Sequence, residues 1–333
     1  MAVIVQKYGG TSVATIEARA ALLNQVKAAK NQGNKVVLVV SAMGRAGDPY
    51  ATDTLIGLLE SISPEIAPRK KDLIMSCGEI ISSAVISHLL ESEGIGAEPL
   101  TGSQAGILTT DTFGNSDICH IEPTRIKKMI ADDIVPVIAG FQGITDAGEI
   151  TTLGRGGSDT AAVTLGGFLN ADRVDIFTDV PGIAKVDPRI VPEAAFISDI
   201  SYNDMFRLAE QGAKVIHPRA VQAAREFSIP VRVRSTFSDE EGTLISGLHS
   251  AGLGDIIGLA LRKVDLVTGS IFILFNADSK EKIYRKVLEF CEKEEIDLNK
   301  TVWESSCVEM SVNLSSLNET TRLLYRILHQ SEV

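Results

Sequence analysis

AVIVQKYGGTS, residues 2–12, sets an apolar, β-branched run against a lysine, two glycines and two hydroxyl residues. The run reads as a buried strand and GGTS as the turn opening a helix, whose pattern continues through Ile16, Ala20, Leu23 and Val26. The same unit returns along the chain. KVVLVVSAMG (35–44) is an apolar strand ending in Ser41 and a glycine, and DIVPVIAGFQG (133–143) and VDIFTDVPG (174–182) repeat the theme. Between them, Asp72 to Glu91 reads as a helix with Leu73, Cys77, Ile80, Ile81, Ala84, Val85 and Leu89 on or near one face. Strands alternating with helices imply an α/β fold, an open and mostly parallel sheet sandwiched by helices. Ligands bind such sheets outside the carboxyl ends of the strands, so the polar-glycine clusters are expected to meet at one edge.

PVRVRSTFSDEEGTLISG (230–247) reads as the last strands of this unit, and SGLHSAGLGD (246–255) as a linker. Beyond it the pattern is strand (270–277), helix (280–296), a short strand within LNKTVWES, strand (306–314) and helix (318–330). That βαββα order predicts a small α+β ferredoxin-like module over 262–333, behind a main domain spanning 1–246. A length of 333 residues agrees with two domains.

Charged residues make up 23% and hydrophobic ones 44%, a globular composition. The net charge of −11 repels nucleic acid and anionic membranes, and no Lys/Arg-rich run offsets it. Cys77, Cys119, Cys291 and Cys307 show no paired spacing, which argues against a zinc site or a disulfide framework and suits a cytoplasmic protein. No signal peptide or membrane-spanning run is evident.

Several clusters carry chemical possibilities. Lys7-Tyr8-Gly9-Gly10-Thr11-Ser12 is either a phosphate cradle or a tight turn with a snorkelling lysine. TTLGRGGSDTAA (151–162) gathers three glycines, Arg155, Ser158 and Asp159 before a helix expected from about Thr160, with Ala161, Ala162, Gly166 and Gly167 letting it lie close to the sheet. Arg155 is suited to bidentate capture of a carboxylate or phosphate, or else faces solvent from a glycine turn. FTDVPGIAKVDPR (177–189) offers Thr178, Asp179 and Arg189, and QGAKVIHPRA (211–220) offers Lys214; both also read as ordinary turns and helix ends. Glu79 sits among small and apolar residues, where a buried carboxylate needs a cation: a substrate ammonium, or Arg69 or Lys71 folding back, unless the face is exposed. GxxxxGK[ST] is absent, and GRGGSD lacks the third glycine of a dinucleotide fingerprint. The five histidines are dispersed, so any metal is expected on nucleotide phosphates rather than in a protein cage.

Together these segments resemble the aspartokinases of the amino-acid kinase superfamily. The resemblance rests on VQKYGGTSVA (5–14), VVSAMG (39–44), Cys77-Gly78-Glu79, TGSQAGILT (101–109), AGFQG (139–143), TTLGRGGSDTAA, FTDVPGI (177–183), DPRIVPEA (187–194), KVIHPRAV (214–221) and PVRVRST (230–236), in the family's order. It implies the amino-acid kinase fold and an ATP-dependent phosphorylation of L-aspartate to 4-phospho-L-aspartate, entering lysine (diaminopimelate), threonine and methionine synthesis. By that resemblance Lys7, Tyr8, Gly9, Gly10, Thr178, Asp179, Ala184, Arg189, Lys214 and Val215 hold ATP with its Mg2+. Ser41, Thr52, Glu79, Arg155 and Ser158 hold L-aspartate, with Glu79 on its ammonium and Arg155 on a carboxylate. Lys7, Asp159 and Lys214 serve the transfer. Ala184 replaces a side chain that is often larger in the family. The tail has room for one ACT-like unit where the family commonly has two, and a homo-oligomer, dimer or higher, is implied. A sibling kinase of glutamate or N-acetylglutamate, and a non-catalytic sensor, are the competing readings.

Overall fold

The computed structural model describes residues 1–247, 254–296 and 301–329. It divides into two compact units, one formed by Met1–Pro181 with Arg219–Ser246 and the other by Gly182–Pro218 with Gly247–Val333. Within the first unit the chain runs β1 (Val3–Tyr8), α1 (Gly10–Ala14), α2 (Ile16–Asn31), β2 (Lys35–Val40), α3 (Thr52–Glu60), α4 (Pro68–Ser92) and β3 (Ala97–Leu100). It continues through β4 (Ile107–Thr109), β5 (Ile118–Ile121), α5 (Thr124–Ala131), β6 (Val135–Ala139), β7 (Gln142–Ile144), β8 (Ile150–Thr152), α6 (Gly157–Leu169) and β9 (Arg173–Thr178). After β10 (Asp199–Ser201) and α7 (Tyr202–Glu210) of the second unit, α8 (Pro218–Glu226) leads into β11 (Val231–Ser235) and β12 (Thr243–Ser246).

The strands of the first unit's main sheet lie in the order β12-β11-β9-β1-β2-β6-β3, parallel except for β12. This is the expected α/β class. β2 is buried on both faces, which is why its KVVLVV sequence is continuously apolar rather than alternating. Leu38 and Val40 pack with Leu22 and Val26 of α2 and Ile86 and Leu90 of α4. On α6, a Cβ added at Gly166 would stand 2.6 Å from the Val174 side chain, so the helix lies as close to the sheet as its small residues suggested. A smaller sheet, ordered β5-β4-β7-β8, completes the unit.

Two helices differ from their sequence reading. α2 buries Ala18, Leu22, Leu23, Val26 and Ala29 but leaves Ile16 and Ala20 exposed, because Thr15 breaks the run and caps α2 through its hydroxyl. α4 is turned further. Its buried side carries Asp72, Met75, Ser76, Gly78, Glu79, Ser82, Ser83, Ile86, Ser87 and Leu90, whereas Leu73, Ala84 and Val85 face outward. Small residues permit close approach, and a polar side wins burial here because Asp72 and Glu79 find partners inside.

In the second unit, β13 (Ile256–Lys263), β14 (Thr268–Phe275), α9 (Lys280–Lys293), β15 (Thr301–Trp303), β16 (Cys307–Asn313) and α10 (Leu317–His329) build an antiparallel sheet ordered β13-β14-β16-β15. The expected βαββα order is present with one strand added ahead of it, since β13 begins at Ile256 and pairs with β14. Ile271, Ile273 and Phe275 of β14 pack with Ile283, Val287 and Phe290 of α9 and Leu324 and Leu328 of α10. Most of the linker read at 246–255, the start of LNKTVWES and the end of the last helix lie outside the described residues.

Candidate active site

The carboxyl ends of β9, β1, β2 and β6 lie side by side, and the chain leaves β1 toward β2 but later places β9 on β1's other flank. That reversal is the switch point at which open α/β sheets bind ligands. Backbone bonds fasten the loops there. Gly9 N–H donates to Phe177 O at 3.3 Å, Ser41 N–H to Tyr8 O at 3.1 Å, Gly44 N–H to Gly10 O at 3.0 Å and Gly140 N–H to Val40 O at 3.0 Å. A Cβ at Gly10 would sit 2.7 Å from the carbonyl oxygens of both Ala42 and Gly44, so this approach requires glycine. The polar-glycine clusters do converge.

Lys7 reaches Asp159 of α6, with Nζ 2.7 Å from Oδ1, both side chains being largely buried. The contact is an ion pair that makes no well-directed hydrogen bond to that oxygen. Glu79 stands 3% exposed on α4. Its Oε1 accepts from Ala42 N–H at 3.0 Å, while Oε2 is buried and has no hydrogen-bond partner among the described residues. Burial pushes the carboxyl up to about 8, against the lowering effect of the Ala42 hydrogen bond and of the Lys7 charge. Arg69 does not fold back to it, pairing instead with Glu149 at 2.6 Å. α4 comes this close because its neighbour is Gly78, whose absent Cβ would meet that of Ala42 at 2.6 Å.

The glycine loop before α6 turns through left-handed backbone at Gly154 (φ +72°) and Gly156 (φ +71°). α6 starts at Gly157 rather than near Thr160, so Ser158 and Asp159 lie in its first turn and no side chain caps it. Asp159 is thereby set over Lys7 instead of being spent on a cap. Ser158 is buried against Gly140, where an added Cβ would stand 3.0 Å from its Oγ. Arg155 is exposed and has no polar partner among the described residues. Asp72, which sequence reasoning passed over, braces this loop: Oδ2 accepts from Gly114 N–H at 2.9 Å and Thr152 N–H at 2.7 Å, and Oδ1 from the Thr152 hydroxyl at 3.0 Å.

Ser41 and Thr52 bound the segment between β2 and α3, and both are half-buried. Beyond β9, the Thr178 carbonyl accepts from Thr236 N–H at 2.9 Å, and Asp179 pairs with Arg45 at 2.6 Å. Tyr8 offers only backbone, because its ring is buried and stacked on Phe177 at 4.6 Å between centroids. The remaining candidates belong to the second unit. There Ala184 bridges to Phe196, Arg189 is paired with Asp187 at 2.6 Å, and exposed Lys214 and half-buried Val215 follow Gly212, whose φ is +113°.

The model of the amino acid kinase family matches residues 2–235. This chain belongs to that family. Within it, the chain is 50% identical over 254 residues to aspartokinase 1 of Bacillus subtilis, an alignment covering 76% of this chain and 63% of that one. It matches the crystal structure of aspartate kinase from Synechocystis at 36% identity and a TM-score of 0.65, over 98% of this chain and 55% of the other. E. coli aspartokinase III, crystallised with aspartate and ADP, shares the fold at 24% identity and a TM-score of 0.69, over 95% and 80% of the two chains. This kinase-family chain spans about 60% of the length of the curated relatives it matches.

Proposed function

We propose that the chain transfers the γ-phosphoryl group of ATP to the side-chain carboxylate of L-aspartate, giving 4-phospho-L-aspartate and ADP. The observation that carries this reading is Glu79, a buried carboxylate with one satisfied and one orphaned oxygen, in a cluster with the Lys7–Asp159 pair. An orphaned buried oxygen is costly, and a substrate ammonium supplies the missing donors and charge. Arg155, without a partner of its own, takes a carboxylate of the same substrate, and Ser41, Thr52 and Ser158 complete the pocket with polar groups.

A substrate carboxylate oxygen attacks the γ-phosphorus while the bond to the β–γ bridging oxygen breaks and ADP departs with that electron pair. The nucleophile is already ionised, so no general base is needed; alignment and charge neutralisation do the work. Lys7 and the Gly9 and Gly10 backbone hold the phosphates in this reading, which the pairing of Lys7 with Asp159 supports by fixing the lysine's position. The family resemblance assigns Thr178, Asp179, Ala184, Arg189, Lys214 and Val215 to the nucleotide, and Lys214 to the transfer. Asp159 and Asp179 are each committed to a cation, which fits Mg2+ being carried on the nucleotide phosphates, where it would screen their charge.

Residues 1–246 carry this chemistry, and 262–333 form a single ACT-like module for regulation or dimerisation. The protein works as a cytoplasmic homo-oligomer at the entry to lysine, threonine and methionine synthesis. Outward-facing Leu58, Ile62, Leu73 and Val85 on and between α3 and α4 suit such assembly. ATP- and Mg2+-dependent acyl-hydroxamate formation with L-aspartate, beside L-glutamate and N-acetyl-L-glutamate, tests the assignment. A signal with aspartate alone supports it. Turnover of another acid, or of none by folded protein that binds ATP, overturns it.

A further inference from the structure

Arg219, in the first turn of α8, is none of the residues assigned above to substrate or nucleotide, yet its guanidinium is fully engaged. Nη1 donates to Leu153 O at 2.6 Å and Asn115 Oδ1 at 3.2 Å. Nη2 donates to Ser116 O at 2.7 Å and pairs with Asp117 at 2.5 Å. Two of these acceptors are backbone carbonyls, and Leu153 is the residue immediately before Gly154-Arg155. The opposite flank of the same segment is held by Asp72 through Gly114 and Thr152, and Ser116 N–H donates to Thr152 O at 2.9 Å. Gly154 is wedged between them: an added Cβ would stand 2.6 Å from Asn115 Oδ1.

Peptide 152–154 is therefore gripped by a carboxylate on one side and a guanidinium on the other. Among the described residues Arg155 makes no polar contact of its own, so its place is set by the backbone it rides on. We infer that Arg219 is a positioning residue, which fixes the Leu153 carbonyl and so the direction in which Arg155 leaves the loop toward the substrate carboxylate. The inference rests on Arg155 having that role. A lysine is a single point donor and cannot span four acceptors in a planar fork, so charge alone does not suffice.

The test uses the 333-residue chain with Arg219→Gln, Arg219→Lys, Arg155→Ala and the double variant Arg155→Ala/Arg219→Gln. Arg219→Gln should raise the aspartate KM on the order of ten- to a hundredfold and leave the MgATP KM within about twofold, since a misplaced binding group costs affinity for its own ligand. Arg219→Lys should rescue little of this. In the Arg155→Ala background, Arg219→Gln should add nothing, because the group it positions is gone. Amides of residues 154–158 should exchange faster in Arg219→Gln while those of residues 7–12 keep their rates. An unchanged aspartate KM, equal losses for both substrates, or additivity with Arg155→Ala overturns the inference. Should Arg219→Gln not fold, Asn115→Ala/Asp117→Asn removes the two outer acceptors, and an aspartate KM raised about two- to fivefold is expected; no change overturns the inference. If the parent chain does not turn over aspartate, the functional proposal fails. The exchange rates then still decide whether Arg219 holds the loop, faster exchange supporting the inference and unchanged exchange overturning it.

Discussion

On the proposed function, the pH dependence of aspartate binding follows from one carboxyl group. Glu79 has a carboxyl that burial raises to about 8, and its Oε2 has no partner. A neutral Glu79 offers an ammonium little, whereas an ionised one offers a full charge in a dry site. Binding therefore requires the ionised fraction, which for a group titrating at about 8 climbs from about 0.03 at pH 6.5 to about 0.76 at pH 8.5. The aspartate KM should accordingly fall about 25-fold across that interval, with saturating MgATP throughout. In Glu79→Gln the KM should be higher and flat over the same range. The rate of ADP release, followed with a coupling system kept in excess at each pH, gives both profiles. A wild-type KM that does not move with pH, or a Glu79→Gln profile of equal slope, refutes the reasoning. The same burial has a sign for stability. A carboxyl raised in the folded state contributes stability that is complete below its ordinary value near 4.5 and is lost as pH rises through about 8. Glu79→Gln should thus gain on the wild type between those limits, by ~5 kcal/mol at most above pH 8.

Lys7→Ala removes a preorganised charge and should lower kcat by on the order of a hundredfold or more; single-turnover kinetics with saturating MgATP measure it, and a near-normal rate refutes the role. Gly10→Ala forces a methyl to within 2.7 Å of two carbonyl oxygens, and should cost about 1–3 kcal/mol in urea unfolding with a loss of activity. Asp72→Ala strands the Gly114 and Thr152 N–H groups inside the protein, and should cost about 3 kcal/mol or more of stability. Asp72→Asn keeps an acceptor and should cost less; an exposed-site response of under about 0.5 kcal/mol from both would contradict the bracing role.

Much of the fold was legible because it depends on local pattern. β1, β2, β6 and β9 are short apolar runs ended by polar and glycine residues, and a parallel sheet buried on both faces leaves that imprint on each strand. The site was legible in part for the same reason: Gly10 and Gly154 are demanded by backbone crowding, which a lone glycine signals even without knowledge of its neighbour. What sequence missed depends on partners far along the chain. The apolar side of α4 predicts burial of Leu73 and Val85, yet the helix buries Asp72, Glu79 and four serines, because acceptors and donors from the Ala42 and Thr152 segments await them. Asp72 and Arg219 carry no signal at all in their own neighbourhoods. Asp72 opens the helix as read from sequence, where acidic residues are common, although α4 begins at Pro68, and Arg219 follows a proline at another helix start. Their acceptors and donors lie on the segment 114–117 and at Leu153 and Thr152. The strand β13 escaped for a related reason, lying beside glycine-rich sequence that reads as linker until β14 is there to pair with it.

The proposed function asks a chain of net charge −11 to host an anionic nucleotide and an anionic acceptor. Bulk charge repels both ligands, so affinity must come from a few cations held in place. Two cations of this unit are held by carboxylates: Lys7 by Asp159 at 2.7 Å and Arg45 by Asp179 at 2.6 Å. Such pairing costs some attraction for an incoming anion, since each acid offsets part of its partner's charge. It removes a larger cost, because a lysine held in position loses no rotamer freedom when the ligand arrives. Arg155 has no ion-pair partner among the described residues, and the backbone just before it is held by Asp72 and Arg219. Glu79 is the mirror case, an acid left half-unpaired in a dry wall. On the proposed function, a ligand that satisfies both presents a carboxylate and an ammonium, as an α-amino dicarboxylic acid does while keeping a second carboxylate free to be phosphorylated. On the proposed reading these two groups select the acceptor, and Lys7, held by Asp159, meets the phosphate it receives from.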